Sequence, residues 1–150
     1  MLTENLKPLP VPDLADLLPH KPPFVMVDAL YDLSDTTVVA GLIIRPDNPL
    51  VWEGYFQESG VLEHAAQAVA LKLGFQTRQQ PETAAKSPAM GYLVGLRNVV
   101  MHNRVPVGGQ IVTGITVTSD NGAFIQVQVR STWNGLPVAD CDMSLMVAES

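Results

Sequence analysis

Charged residues are scarce in this sequence. They make up 16% of its 150 residues, while apolar residues make up 47%. An average soluble domain carries about 25% charged residues, so the low value predicts extra buried surface, such as that between subunits of an oligomer. The charges sum to −6, and no run of basic residues occurs. Nucleic-acid binding therefore has no electrostatic support.

Cysteine, targeting signals and metal-binding patterns are also scarce. The single cysteine, Cys141, excludes an internal disulfide and reads as a small core residue of an alternating strand. Residues 1–6 have neither the basic nor the apolar part of a secretory signal, which predicts a cytoplasmic protein. No two of the three histidines have the spacing of zinc ligands, so no metal site is expected.

The longest apolar stretch, residues 58–77, predicts a helix. It opens on a start signal, Ser59 with Gly60, and Glu63 follows early, where the helix dipole favours an anion. Nearly every residue from there to Leu73 is apolar, and a helix that is apolar on all sides is buried. Its polar residues and its apolar length of about 17 residues argue against a membrane span.

Four polar side chains, Glu63, His64, Gln67 and Lys72, interrupt this apolar helix. Glu63 and Gln67 are four positions apart and therefore share one face. A carboxylate on a buried helix is costly unless it is paired or used in chemistry; the alternative is a glutamate that faces solvent near the helix start. His64 lies about 100° around the helix from Glu63, which predicts a core or interface histidine outside the site of Glu63.

The remaining segments predict an antiparallel sheet. Residues 1–13 read as an extended arm, 13–18 as a short helix, 50–56 as a loop or edge segment and 78–88 as a polar loop. Strands are predicted at 24–33, 36–45, 90–102, 110–118, 124–133 and 136–147, with hairpin turns at 120–122 and 134–135. No repeat, linker or second domain is visible.

A single helix that is apolar all round needs apolar surface on every side. A strongly twisted antiparallel sheet wrapped around it supplies that surface, which is the α+β arrangement called the hotdog fold. The sequence therefore predicts one hotdog domain over residues 1–150. Joining two protomers edge to edge would bury the open edge of the sheet, in agreement with the low charge.

Three motifs follow one another along the chain. They are Leu-Pro-His-Lys-Pro-Pro at 18–23, leading into an apolar segment that ends at Asp28, Glu-His-Ala-Ala-Gln at 63–67, and Arg-Val-Pro-Val-Gly-Gly at 104–109. In this order they resemble motifs of the β-hydroxyacyl-acyl-carrier-protein dehydratases of fatty-acid synthesis. The resemblance covers most of residues 15–118 and implies a hotdog protein that acts on thioesters carried by acyl carrier protein.

A fourth pattern points to one branch of that superfamily. Residues 91–97 read glycine-x-leucine-x-glycine-x-arginine, and residues 19–23 read Pro-His-Lys-Pro-Pro. Together with the helix motif, they resemble the dehydratase-like proteins of aryl polyene biosynthesis. Membership of this branch would place the chain in polyene or fatty-acid-like biosynthesis.

The catalytic histidine of the fatty-acid enzymes is missing. They carry it in a Gly-His-Phe-Pro motif before the helix, and the matching residues here are Gly-Tyr-Phe-Gln at 54–57. Tyr55 thus occupies the position of the base; its hydroxyl can donate a hydrogen bond but is a poor base near neutral pH. Either another histidine replaces the base, or the activity is changed or lost.

The resemblance assigns roles to residues of the predicted helix. Glu63 matches the acid, and Gln67 matches the glutamine that supports it, although a packed amide capping a loop is the alternative for Gln67. Gly60 and Val61 match the site that binds the thioester oxygen, because backbone N–H groups at a helix start are free.

His20 is the best replacement for the missing base. It lies in the only histidine-bearing element that matches the family, and the prolines after it restrict its backbone. The alternative is a surface histidine in a proline-rich elbow. His102 ends a predicted strand and is expected to be structural. Acid and base often come from opposite protomers in this family, so dimerisation would build the site.

These assignments predict a 3-hydroxyacyl-acyl-carrier-protein dehydratase that needs no cofactor, with His20 as base and Glu63 as acid. It would be a homodimer, a heterodimer with a related hotdog protein or a higher oligomer. Two alternatives stay open. One is an acyl thioesterase in which Glu63 activates water. The other is a non-catalytic subunit that binds acyl carrier protein or supports an active dehydratase partner.

Overall fold

A computed structural model describes residues 6–10, 14–78 and 90–148. Within them, one long helix, α1, spans Glu58–Arg78, and a short 3-10 helix spans Leu14–Leu17. The strands are β1 (Ala29–Leu33), β2 (Thr37–Ile43), β3 (Val51–Trp52), β4 (Tyr55–Phe56), β5 (Met90–Met101), β6 (Gln110–Asp120), β7 (Phe124–Trp133) and β8 (Leu136–Ala148).

Six strands form one antiparallel sheet in the order β1-β2-β6-β7-β8-β5, while β3 and β4 form a separate hairpin. Helix α1 contacts β2, β5, β6 and β7, which are strands from both halves of the sheet. The apolar side chains of the helix thereby meet sheet on several sides, and Ala65, Ala68, Val69 and Leu71 are buried in one core with β7 and β8. The predicted hotdog fold is confirmed.

Helix α1 begins at Glu58, as predicted, but its capping residue differs from the predicted start signal. The N–H of Val61 donates to the carbonyl of Gln57 at 3.0 Å, so Gln57 is the capping residue and Ser59 lies inside the first turn. A Ser-Gly pair resembles a cap in sequence, but the preceding strand β4 delivers the chain to the helix two residues earlier. The predicted loop at 78–88 is wrong at Arg78, which still belongs to the helix; residues 79–88 lie outside the described part.

The second half of α1 closely contacts the 3-10 helix. A Cβ added to Gly74 would lie 2.1 Å from the backbone oxygen of Leu17, a distance that no side chain can occupy. Leu17 and Leu18 are both buried. The glycine in the helix therefore allows the chain just before His20 to lie directly on α1.

The predicted first strand is too long. Residues 24–28 read as strand from their apolar pattern, but β1 begins only at Ala29. The backbone of Phe24 and Met26 bonds instead to side chains of α1. The predicted loop at 50–56 contains the β3–β4 hairpin, and both predicted turns are present, with positive φ at Gly122, Asn134 and Gly135. Cys141 is buried in β8, as predicted.

Candidate active site

The structure places His20 beside Glu63 in the same chain. Nε2 of His20 lies 3.4 Å from Oε1 of Glu63, and the two side chains are 31% and 42% exposed. Glu63 is therefore neither buried nor fully solvated, which differs from the expectation of a carboxylate buried on an apolar helix. Because the pair forms within one chain, a second protomer is not needed to bring the two groups together.

A tight turn presents His20 to α1. The N–H of Phe24 donates to the carbonyl of Lys21 at 2.9 Å, and the peptide bond between Pro22 and Pro23 is cis. Nδ1 of His20 is buried and has no hydrogen-bond partner among the described residues, while Nε2 faces the carboxylate of Glu63. The imidazole thus offers Nε2 as its accessible nitrogen.

Gln67 connects Glu63 to the chain that follows His20. Its Nε2 donates to Oε1 of Glu63 at 2.9 Å and to the carbonyl of Phe24 at 2.8 Å. Its Oε1 accepts from the N–H of Met26 at 2.6 Å. Gln67 is fully buried, and its amide both holds the carboxylate and caps the neighbouring segment, so the two interpretations from sequence describe one arrangement.

His64 lies on another face of α1 and is completely buried. Its Nδ1 lies 2.7 Å from the carbonyl oxygen of Met26, and its Nε2 lies 2.9 Å from the hydroxyl of Thr113 on β6. Burial lowers the pKa of His64 to about 4, against a smaller raising effect of the Met26 carbonyl. The expectation of a core histidine is confirmed, and the side chain is inaccessible to a substrate.

The two predicted thioester-binding residues, Gly60 and Val61, differ in whether the backbone N–H bonds within the helix. The N–H of Val61 already bonds to the carbonyl of Gln57, which differs from the expectation of a free N–H at this position. Gly60 lies one residue earlier, where helix geometry leaves the N–H without an intrahelical acceptor. A Cβ on Gly60 would lie 2.5 Å from the buried ring of Phe56, so a glycine is needed here for packing as well.

A surface cavity of about 290 Å³ adjoins the start of α1 but not the His20–Glu63 pair. It is lined by Phe56, Glu58, Val61, Met101, His102, Asn103, Arg104, Val105 and Val138. Tyr55, at the position of the missing base, is exposed, and the guanidinium carbon of Arg104 lies 5.9 Å from its ring centre. Nε2 of His102 lies 2.9 Å from Oδ2 of Asp140, which agrees with a structural role.

The sequence analysis did not identify the hydrogen-bond partners of His64, which are Thr113 and the Met26 carbonyl, or Ser131, which bonds to Thr113. Thr113 and Ser131 are direct cross-strand partners on β6 and β7, with their hydroxyl oxygens 2.7 Å apart, and both are buried. Thr113 stands between Ile111 and Ile115 in the inward set of an alternating strand, and that pattern was the available signal. Nothing in the sequence indicates the Met26 carbonyl.

In the described part of the chain, no three metal-ligating side chains come together, and no helix is long and apolar enough to cross a membrane.

Solved structures with the same fold include a dehydratase heterocomplex and a hypothetical thioesterase. The chain is similar to the dehydratase heterocomplex ApeI:P from Xenorhabdus doucetiae, with a TM-score of 0.81 and 17% identity over 91% of both chains. It is also similar to a hypothetical thioesterase from Streptococcus pneumoniae TIGR4 in complex with coenzyme A, with a TM-score of 0.61 and 11% identity over 81% of this chain and 85% of the other.

Sequence relatives include the 3-hydroxyacyl-[acyl-carrier-protein] dehydratases FabZ. The protein from Anaeromyxobacter sp. (strain K) is 28% identical over 98% of this chain and 96% of its own, and one from Listeria monocytogenes serotype 4b is 24% identical over 95% and 96%. The sequence model of one family, described as ApeP-like: ApeP dehydratase, matches residues 12–145. Because that match spans most of the sequence, the chain belongs to the ApeP-like dehydratase family.

Proposed function

We propose that the protein dehydrates 3-hydroxyacyl thioesters carried by acyl carrier protein, with His20 as the base and Glu63 as the acid. The observation that carries the proposal is the 3.4 Å separation of Nε2 of His20 and Oε1 of Glu63 in a member of a dehydratase family. The FabZ relatives, named as 3-hydroxyacyl-acyl-carrier-protein dehydratases, supply the substrate class.

The reaction removes a proton from carbon 2 and a hydroxyl from carbon 3 of the acyl group. Nε2 of His20 takes the proton, and the protonated carboxyl of Glu63 gives its proton to the hydroxyl, which leaves as water while the double bond forms. The proton on His20 then passes to Glu63 and restores the starting state. The two reacting groups sit on adjacent carbons, so an acid and a base only 3.4 Å apart can serve both.

The thioester oxygen needs a donor when charge builds on it. Gly60 precedes Glu63 by three positions, so its N–H lies on the same side of α1 as the acid and within the first turn. We assign the oxygen to this N–H, with the positive end of the helix dipole behind it. Gln67 keeps Oε1 of Glu63 in place through its 2.9 Å bond.

A second hotdog subunit, either a copy or a related chain, is proposed to pair with β5. This strand forms one edge of the sheet over twelve residues, and its exposed apolar side chains include Leu93, Val94, Leu96, Val99 and Val100. A long apolar edge strand favours the addition of another strand. The ApeI:P heterocomplex shows that a related fold assembles with a partner.

A second candidate function is that of a supporting subunit without chemistry of its own. Tyr55 favours it, because this residue stands where the dehydratases of fatty-acid synthesis have their base. In that case the partner subunit would carry the reaction, and the His20–Glu63 pair would be structural.

The direct test follows the loss of water from a 3-hydroxyacyl carrier protein by mass spectrometry. We expect wild type to dehydrate the substrate, and His20→Gln and Glu63→Gln each to lose about 10²- to 10⁴-fold, the usual contribution of general acid–base groups. His102→Gln is the matched control, since it removes a histidine that is also paired with a carboxylate. Activity that requires a second hotdog subunit and survives both site variants would establish the supporting role instead.

Mixing the two inactive variants tests whether the pair works within one chain. His20→Gln and Glu63→Gln chains, unfolded together and refolded, form mixed oligomers. With the pair inside one chain, every site in the mixture lacks one group and the mixture stays inactive. Restored activity would show that acid and base meet across an interface.

Release of free thiol from the acyl substrate by wild type would identify a thioesterase.

A further inference from the structure

The segment from His20 to Met26, called here the His20 segment, is fastened to α1 by side chains. The only backbone–backbone hydrogen bond described within it closes its own turn, from Phe24 to Lys21. Its other described backbone bonds go to Gln67 and His64. Gln67 donates to the Phe24 carbonyl and accepts from the Met26 N–H, while the ring of His64 bonds to the Met26 carbonyl. Sheet pairing resumes only with Asp28, whose N–H bonds to Gly41.

The partners of His64 determine its tautomer. A carbonyl oxygen can only accept, so Nδ1 carries the hydrogen and donates to Met26. Nε2 is then the acceptor and receives the hydroxyl hydrogen of Thr113, and Ser131 donates to the Thr113 oxygen. This line of hydrogen bonds crosses the core from the His20 segment, through α1, to the middle of the sheet.

We propose that His64 is a positioning residue, which holds the His20 segment through the Met26 carbonyl so that Nε2 of His20 stays beside Glu63. This rests on the function proposed above for the His20–Glu63 pair. His64 touches no substrate, because it is fully buried. Glu63 and His64 are adjacent on α1, so one turn of the helix carries both the acid and the anchor of the base. A movement of α1 therefore moves Glu63 and the His20 segment held by His64 together, so the distance between Glu63 and His20 is preserved.

Three substitutions separate the parts of this anchor. His64→Leu removes both bonds of the ring at similar volume. His64→Asn keeps an N–H donor close to the position of Nδ1 and so retains the bond to Met26. Thr113→Val removes only the hydroxyl that faces Nε2. Ile125→Ala is the stability control, because Ile125 is a buried core residue six positions from Ser131 along β7, about 20 Å away.

The kinetic test compares variants well below their unfolding temperatures. We expect His64→Leu to lower kcat at least tenfold with little change in KM, and His64→Asn to recover most of the loss. Thr113→Val should fall between them. Ile125→Ala, with a comparable fall in unfolding temperature, should keep kcat within twofold of wild type. Equal kcat values for His64→Leu and Ile125→Ala would overturn the positioning role.

A second readout needs no activity. The chain has three histidines, so their ring signals can be assigned by nuclear magnetic resonance. Glu63→Gln should shift the ring signals of His20 in an otherwise wild-type chain, and this effect should be largely lost in the His64→Leu background. An unchanged effect in both backgrounds would refute the inference. If wild type proves inactive as a dehydratase while the effect still depends on His64, the proposed function fails and the positioning role stands.

Discussion

Acidification should destabilise this protein through His64. The pKa of the buried ring is lowered to about 4, from 6.5 for an unperturbed histidine. The unfolded chain therefore binds a proton between these two values that the folded chain does not. Stability rises with pH wherever the unfolded state binds more protons. The contribution of His64 is thus complete above pH 6.5, falls as the pH drops through 6.5, and falls no further below about pH 4.

The size of the effect follows from the difference between the two pKa values. About 2.5 units at 1.36 kcal/mol each give about 3 kcal/mol over the whole window. Most of this loss is reached at pH 4.5. Because domains of this size are stable by only about 5–15 kcal/mol, a change of 3 kcal/mol is large and measurable.

The assay is urea unfolding followed by circular dichroism at a series of pH values from 7.5 to 4.5. Wild type is compared with His64→Gln, which keeps a polar side chain without a titrating group. Carboxylates and exposed histidines titrate in both chains, so the difference between the two curves isolates His64. Wild type should lose about 2–3 kcal/mol more than the variant on acidification. Parallel curves, or a ring signal of His64 that titrates near pH 6.5, would refute the buried, neutral imidazole.

Three further substitutions test the packing and the surface. Gly74→Ala normally stabilises a helix by about 1 kcal/mol, but here it should destabilise by about 1–3 kcal/mol in urea unfolding, because the new methyl group meets the Leu17 carbonyl; an increase in stability would contradict this contact. Gln67→Met should lower the free energy of unfolding by about 1–3 kcal/mol for each buried backbone group left without a partner; a smaller loss measured by calorimetry would contradict this. Val94→Lys should leave the fold within about 0.5 kcal/mol, since the side chain is exposed, yet shift the mass seen by light scattering towards the monomer; an unchanged mass would place the interface elsewhere.

The fold was predictable because one property of the sequence constrains it strongly. A helix with apolar residues on every side requires sheet around it, and the turns at 120–122 and 134–135 define the β6–β7 and β7–β8 hairpins. The failures lie at residues whose backbone bonds to distant groups. Residues 24–28 have the pattern of a strand, but the Phe24 carbonyl and both backbone groups of Met26 bond to Gln67 and His64, 38 to 43 positions away. Periodicity carries no information about such contacts.

The site was predictable only in parts. The spacing of Glu63 and Gln67 predicts a shared helix face, and their 2.9 Å bond agrees with it. The roles of His20 as base and Glu63 as acid came from the resemblance of two motifs. Their 3.4 Å separation within one chain was not predicted, because periodicity carries no information about residues so far apart along the chain and the resemblance implies groups from opposite protomers. Whether the N–H of Val61 is free depends on which residue caps the helix. Serine is a more typical capping residue than glutamine, so the sequence favours Ser59, but the structure uses Gln57.

The polar residues Gln67 and His64 give the apolar helix α1 a means of holding the His20 segment in one position. Apolar packing is non-directional, so a segment lying on such a helix can shift along it at little cost. Hydrogen bonds from Gln67 and His64 are directional and fix the position of the His20 segment at three backbone atoms. An apolar residue at position 64 would avoid the loss of stability in acid, but it would leave the buried Met26 carbonyl without a donor, and an unpaired buried carbonyl is itself costly. In the proposed reaction, the buried histidine exchanges some stability at low pH for a fixed distance between His20 and Glu63, on which proton transfer between them depends.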